Sequence, residues 1–324
     1  MDDATPTPVP PGYSELRRGV ARFAIPGCAV IHVAGPDAMR FVDAFATAHV
    51  AALAHGASSE AMLLDARGQI VALVHVLREG DDVWLVAWPG VESDLAVHLE
   101  RYHIRERLTV ADVSATWEVR GLAGPQATAW LAATRSADVR TVPGVDLSAL
   151  KTISAAGVWP GGWLLLVPGA AGADFDAACA AAGLVTAAAA AVDAVRIENG
   201  YPLPHDIPER ALPQELGRDR EAISFTKGCY LGQETVARID ALGHVNRRLV
   251  RLASATVLPT GGAGVVAFDD DGTRDPVGGV TSAAWSADGG SGIALAMVTT
   301  KGLAARERLA VGAERVTPVS GQFP

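Results

Sequence analysis

Lysine is nearly absent from this sequence. Lys151, Lys227 and Lys301 are the only three among 27 basic residues. Where arginine is so strongly preferred, a retained lysine hints that a compact ammonium suits that place better than a planar guanidinium. Cysteine is equally scarce: Cys28, Cys179 and Cys229 are scattered and odd in number, with no C-x-x-C and no Cys/His spacing of a zinc site. That excludes a disulfide framework, fits a reducing cytoplasm, and leads us to expect no metal centre of the protein's own. Positive charge is also short, the net charge being −9. Only Arg247, Arg248 and Arg251 come close together, on an expected strand, so nucleic acid is not expected as a direct partner.

Long apolar runs are missing too. The longest, Ala177 to Val192, is alanine-dominated and bounded by Asp176 and Asp193. It is shorter than the roughly 20 residues a bilayer span requires and is expected to be a buried or amphipathic helix, so no membrane partner is expected. The acidic, proline-rich opening from Met1 to Gly12 has no leader pattern and is expected to be a loose tail. Asp269-Asp270-Asp271-Gly272 begins like a calcium loop, but the later acidic ligands are absent and a hairpin turn is expected.

What is present is enough apolar residue, 49% of the chain, for several packed cores. With 324 residues, two or three domains are the default. From Tyr13 to Ser114 the pattern reads strand (Ala29 to Val33), helix (Gly35 to Phe45), paired strands (Met62 to Asp65, Gln69 to Leu77), strand (Val83 to Ala87), helix (Val91 to Tyr102) and strand (Leu108 to Val113). From about Thr116 the theme repeats: strand Trp117 to Gly121, helix Gly124 to Ala133, a hairpin over Val158 to Val167, and helix Asp174 to Gly183. Two related α+β units follow, each an antiparallel sheet with helices on one face. From about Asn246 the chain changes to short strands between Gly, Asp and Pro turns, the pattern of an all-β barrel or sandwich.

The chemistry is concentrated between the second unit and the barrel. Lys227-Gly228-Cys229-Tyr230-Leu231-Gly232-Gln233-Glu234 places a cysteine before an expected helix start and two residues from an ammonium. Both influences favour thiolate over thiol. On spacing alone, an inert buried cysteine in a turn is the slightly better fit. Gly228 and Gly232 permit tight backbone geometry, and Gln233 and Glu234 offer hydrogen bonds near the helix start.

This octapeptide resembles the signature of the YgfZ folate-binding family, K-G-C-[FY]-x-G-Q-E. Arg196-Ile197-Glu198-Asn199-Gly200 resembles the R-[IL]-E-x-G segment that this family shares with glycine-cleavage T-proteins. Pro213-Gln214-Glu215 and Gly243 to Leu249 fit the same pattern, and the order of elements agrees over nearly the whole chain. The resemblance implies an α+β fold of two ferredoxin-like units plus a C-terminal antiparallel β-barrel, arranged as a ring with tetrahydrofolate in the central opening. It implies a first, folate-binding unit of residues 13–115 with 190–245, a second unit of 116–189 and a barrel of 246–324. Glu198 would hydrogen-bond the pterin, with Arg196, Tyr230, Gln233 and Arg238 as further folate-binding residues; Arg238 or Arg247 would meet the folate glutamate. Cys229 and Lys227 would carry the chemistry, in support of iron–sulfur client or assembly proteins. A monomer is the default.

The main alternative is a folate-dependent aminomethyltransferase of the T-protein type. T-proteins carry a pair of aspartates in a central strand, where this chain has Ala72 and Leu73 in the run from Gly68 to Val74. Neither residue can orient an amine or exchange a proton. A cysteine hydrolase using His75, His205 or His244 lacks any supporting motif around Cys229, and His205-Asp206 reads equally well as a surface turn or an acid/base pair.

Overall fold

The structure, a computed structural model, describes residues 9–135, 141–142, 145–146, 150–258, 260, 262–268, 272–304 and 308–319. The Asp269–Asp271 run and residues 1–8 of the expected tail lie outside the described residues.

Helix α1 (Tyr13–Arg18) and strand β1 (Ala21–Ala24) open the chain. Then come β2 (Ala29–Ala34), α2 (Ala38–Asp43), β3 (Ser58–Leu64), β4 (Ile70–Glu79), β5 (Asp82–Ala87), α3 (Glu92–Glu100) and β6 (Thr109–Asp112). They form one antiparallel sheet in the order β3-β4-β5-β2-β6. With β3 set aside as an added edge, this is the β-α-β-β-α-β ferredoxin-like pattern.

The pattern recurs in β7 (Trp117–Ala123), α4 (Ala127–Arg135), a two-strand ribbon of β8 (Thr141–Val142) and β9 (Val145–Asp146), β10 (Lys151–Ser154), β11 (Trp163–Pro168), α5 (Gly172–Ala181) and β12 (Val185–Thr186). Their sheet runs β10-β11-β7-β1-β12. Strand β1 is inserted between the first and last strands of the repeat, antiparallel to β7 and parallel to β12. The N-terminus therefore belongs to the second sheet, which short-range pattern in four residues did not reveal.

Two expectations change here. The apolar run from Ala177 to Val192 is not one helix: Gly183, with φ 81°, ends α5 in the left-handed conformation that glycine adopts without steric cost. Strand β12 and helix α6 (Ala189–Glu198) follow. The hairpin is built from β10 and β11, so Val158 and Trp159 lie in the connection, buried in the centre rather than paired.

After α6 the chain makes short 3-10 turns at Pro204–Asp206 and Pro213–Leu216, then α7 (Asp219–Ala222) and α8 (Gln233–Leu242). Strands β13 (Arg247–Ser254), β14 (Gly264–Phe268), β15 (Arg274–Ser286) and β16 (Ser291–Thr299), helix α9 (Thr300–Ala304), and strands β17 (Leu309–Val311) and β18 (Glu314–Pro318) complete the chain. The strands close a six-stranded antiparallel barrel, β13 pairing with both β16 and β18. No helix is long and apolar enough to cross a membrane among the described residues.

Period-two alternation explains how these parts share a centre. On β4, Ala72, Val74 and Val76 pack with α2 and α3 in the first unit's own core. Leu73 and Leu77 point the other way, into a cluster with Phe23 and Val119 of the second sheet and Leu249, Leu295 and Met297 of the barrel. Both faces of β4 are covered, so its sequence from Ile70 to Leu77 is apolar except at His75.

Candidate functional site

The Lys227–Glu234 loop is held from two directions. Lys227 is buried, and its ammonium donates to the carbonyls of Asp43 (2.5 Å), Ala46 (2.8 Å) and Ala48 (2.9 Å), with the Asp43 carboxylate at 3.1 Å. Burial pulls its pKa below the ordinary lysine value, and the bond to Asp43 opposes that pull. All three N–H donors are thus spent on the end of α2 and the segment after it. The ammonium expected to act on Cys229 serves instead as an internal strut, a small point charge in a ring of carbonyls that a guanidinium fork would not fit.

The second anchor is a glycine pair. Gly232 (φ 80°) meets Gly68 (φ 79°) in the β3–β4 turn. A Cβ on Gly232 would lie 2.8 Å from both the Asp65 carbonyl oxygen and the Gly68 Cα. Thr235 Oγ1 donates to the Arg67 carbonyl at 2.9 Å across the same contact. Between these anchors Cys229 is exposed, whereas Cys28 and Cys179 are buried. Burial pushes the Cys179 thiol up to about 11, as suits an inert core residue. Tyr230 turns inward, its ring 5.2 Å from the Lys227 ammonium, and burial raises its phenol to about 12. Gln233 is half-buried at the start of α8, and Arg238 lies on that helix's exposed side.

Helix α6 presents two faces. Ala189, Val192, Asp193 and Arg196, at helical spacing, line a cavity of about 480 Å³. Its other walls are Phe23 to Pro26, Trp88, Pro89, Val158 and Trp159, so both ferredoxin-like units contribute. Arg196 is 2% exposed and fully engaged. It bonds Asp193 (2.6 Å), the Tyr201 carbonyl (3.1 Å), Asp206 (2.6 Å) and Ser282 of the barrel (2.7 Å). A bulge between Val280 and Ser282 breaks the barrel's register beside this contact. Glu198 lies on the other face. It accepts from the Tyr13 hydroxyl, sits 3.4 Å from Arg17, and its own carbonyl accepts from Arg251. Of the five residues expected at folate, only Arg196 borders this cavity, whereas Glu198 is tied to α1.

A second cavity of about 170 Å³ also has Trp88 in its wall, with Ile70 to Leu73 and a proline-rich wall of Pro202, Pro204 and Pro208. Behind Trp88 its indole N–H donates to Tyr201 Oη (3.2 Å), which contacts His75 Nε2 at the same distance. Arg218, paired with Glu60, lies over the Tyr201 ring. Burial, helped by Arg218, drives His75 down to about 3, so it is neutral.

Residues 11–158 match the GCVT N-terminal domain family, and residues 247–320 match the glycine cleavage T-protein C-terminal barrel domain. The tRNA-modifying protein YgfZ of Escherichia coli O139:H28 is 28% identical over 270 residues, covering 79% of each chain, and that of Shigella flexneri matches equally well. This chain is a YgfZ/GcvT-type protein. The fold agrees: the structure of glycine cleavage system aminomethyltransferase T from Bartonella henselae superposes with a TM-score of 0.74 at 20% identity, covering 95% of this chain and 87% of that one.

Within the YgfZ/GcvT architecture, several candidate residues find other work. His205-Asp206 is no free acid/base pair, because Asp206 is fully buried between Arg196 and Ser282 (2.6 Å each). Arg247 is held by both carboxylate oxygens of Glu215 (3.1 and 3.0 Å). Ala72 and Leu73 border the second cavity and bring no acidic group of their own to it. Sequence reading missed Trp88, Asp193 and Arg210, which border the cavities. Asp193 had a signal, lying three residues before Arg196 on one helical face, but nothing in the sequence announced a cavity there.

Proposed function

We propose that this protein binds tetrahydrofolate and supports the assembly or repair of iron–sulfur clusters in client enzymes through Cys229. The observation that carries the reading is the contrast among three thiols: two are buried, and the third is exposed on a loop pinned by Lys227 and the Gly68–Gly232 contact. A fixed, accessible sulfur suits attack on, or transient ligation of, a partner's sulfur or iron.

The larger cavity suits a folate. Trp88, Trp159 and Phe23 provide aromatic walls for a flat ring, and Asp193 is the carboxylate that borders it, one oxygen held by Arg196 at 2.6 Å. A carboxylate is the natural acceptor for a pterin's amino and ring N–H groups. Bound tetrahydrofolate would supply one-carbon or reducing equivalents. The chain's own residues would bind and orient it, with no acid at positions 72 and 73 for aminomethyl transfer. The relatives are named for tRNA modification. With a net charge of −9, this chain is better suited to act through a client enzyme than to grip tRNA itself.

Two measurements test the reading. Cys229→Ser, in a strain deleted for this protein, should fold and bind folate yet leave iron–sulfur enzyme activity unrestored; full restoration removes the thiol from the mechanism. Calorimetric titration with tetrahydrofolate should show binding weakened about tenfold in Asp193→Asn and retained in Glu198→Gln. The reverse pattern would return the pterin to Glu198, and no binding by the parent protein would end the folate reading.

A further inference from the structure

Ile104 is 86% exposed, the most exposed large apolar side chain among the described residues. Isolated apolar residues are common on protein surfaces, but this one is held out by a well-bonded loop between α3 and β6. Tyr102 and His103 before it turn inward, their rings 5.0 Å from Phe45 and 5.9 Å from Phe41. The Glu106 carboxylate accepts the backbone N–H groups of Ile104 (3.1 Å) and Arg105 (3.0 Å). His103 Nε2 meets the Glu106 carbonyl at 3.0 Å, and Arg107 N–H donates to Asp37 at 2.8 Å. With its rings packed and its donors satisfied, the loop fixes Ile104 at its tip.

The loop's acids are engaged and two of its cations are not. Glu106 is spent on backbone N–H groups, which hold its carboxyl down at about 2. Asp37 is engaged by Arg107, and Glu100 lies 3.4 Å from His103. Arg101 and Arg105 are exposed, and their guanidinium groups meet no hydrogen-bond or ion-pair partner among the described residues. On a chain of net charge −9, this tip shows an apolar side chain flanked by two unpaired cations. The same short helix carries the cysteine loop. The Ile104 loop is fixed to α2 through Asp37 and Phe41, and to Phe45 just beyond it. The Cys229 loop is fixed to the end of α2 and the segment after it, through the carbonyls of Asp43, Ala44, Ala46 and Ala48.

We infer that Ile104, with Arg101 and Arg105 beside it, is a docking contact for the client protein that Cys229 serves, and that the client offers an apolar pocket bordered by carboxylates. This rests on the client reading above. A standard interface covers about 800 Å² of each partner, wide against a six-residue helix of about 9 Å. One partner can therefore engage both loops that α2 holds. An apolar side chain seated in a pocket supplies affinity, and the unpaired guanidinium groups select an acidic rim and speed encounter. Two free cations are too few to grip a nucleic acid, which also has no such pocket to offer.

The test places full-length Ile104→Glu, the double variant Arg101→Glu with Arg105→Glu, and Cys229→Ser in a strain deleted for this protein, and reads iron–sulfur enzyme activity. At the parent's expression level, Ile104→Glu and the double arginine variant should lose most of the activity that the parent restores. About tenfold higher expression should bring it back, because mass action offsets weakened docking. Cys229→Ser should fail at both levels. Purified Ile104→Glu should keep the parent's melting temperature, tetrahydrofolate affinity and Cys229 alkylation rate. Full restoration by Ile104→Glu at the parent's level overturns the docking assignment, and leaves the client reading standing when Cys229→Ser still fails. A loss that higher expression does not relieve also overturns it, since weakened docking is not then the cause. Binding of the parent, but not of Ile104→Glu, to phosphatidylglycerol vesicles would overturn it in favour of a lipid surface. Full restoration by Cys229→Ser removes the client reading, and this assignment with it.

Discussion

Single residues in this protein are governed by what burial leaves them to bind. Lys227 illustrates this: within a ring of three carbonyls its ammonium is a substitute for water, and removing it takes a buried donor from all three, although Val50 N–H still reaches the Ala48 carbonyl. Lys227→Met should cost about 2–4 kcal/mol in urea denaturation, and the Cys229 alkylation rate should rise as the loop loosens. His75 makes a second case, with its folded pKa near 3 and an ordinary value of 6.5. Between those values the unfolded chain holds more protons than the folded one, so stability is fully present above pH 6.5 and is lost as pH falls toward 3. His75→Leu should flatten that acid limb in denaturant titrations at stepped pH, at some cost at neutrality, because Tyr201 loses a partner. An unchanged limb would assign the acid sensitivity to other groups.

Among the elements, α8 and the loop before it depend on close backbone contact more than on their own propensity. Both ends of α8 are glycines in the left-handed region, Gly232 at φ 80° and Gly243 at φ 72°. Only Gly232 is also crowded, with Asp65 and Gly68 inside the space a Cβ needs. Gly232→Ala should therefore cost about 1–3 kcal/mol and speed amide exchange over residues 227–233, while Gly243→Ala disturbs no neighbour and affects the helix end alone. Equal effects of the two substitutions would show that the contact with the β3–β4 turn contributes nothing. On α6, helical spacing divides the work: positions 189, 192, 193 and 196 face the cavity, and Glu198 faces α1.

The segment between the α+β units and the barrel is joined to the barrel at one buried cation. Arg196 ties α6 to the Pro204–Asp206 turn and, through Ser282, to the barrel. Arg196→Met leaves the fully buried Asp206 without its charge partner and should cost about 3–5 kcal/mol. The double variant Arg196→Met with Asp206→Asn should recover part of that loss, and additive costs would mean the pair is not coupled. The shared core makes the same point with apolar residues, drawing Leu73 from one sheet, Phe23 from the other and Leu295 from the barrel. Loosening any one unit is therefore expected to lower the melting temperature of the whole.

The sequence by itself determined the class of fold and the segment with chemistry in it, because those depend on local quantities. Period-two and period-3.6 patterns marked the repeated α+β units and the barrel, and an eight-residue motif marked the cysteine loop. Tertiary structure alone decided what each polar side chain meets. Strand β1 joins the second sheet, Lys227 turns into the end of α2, Glu198 faces α1, and Asp193 and Arg210 border cavities, all through partners far away in the chain. Such pairings are set by how sheets and helices pack in three dimensions, and no window along the chain holds both members.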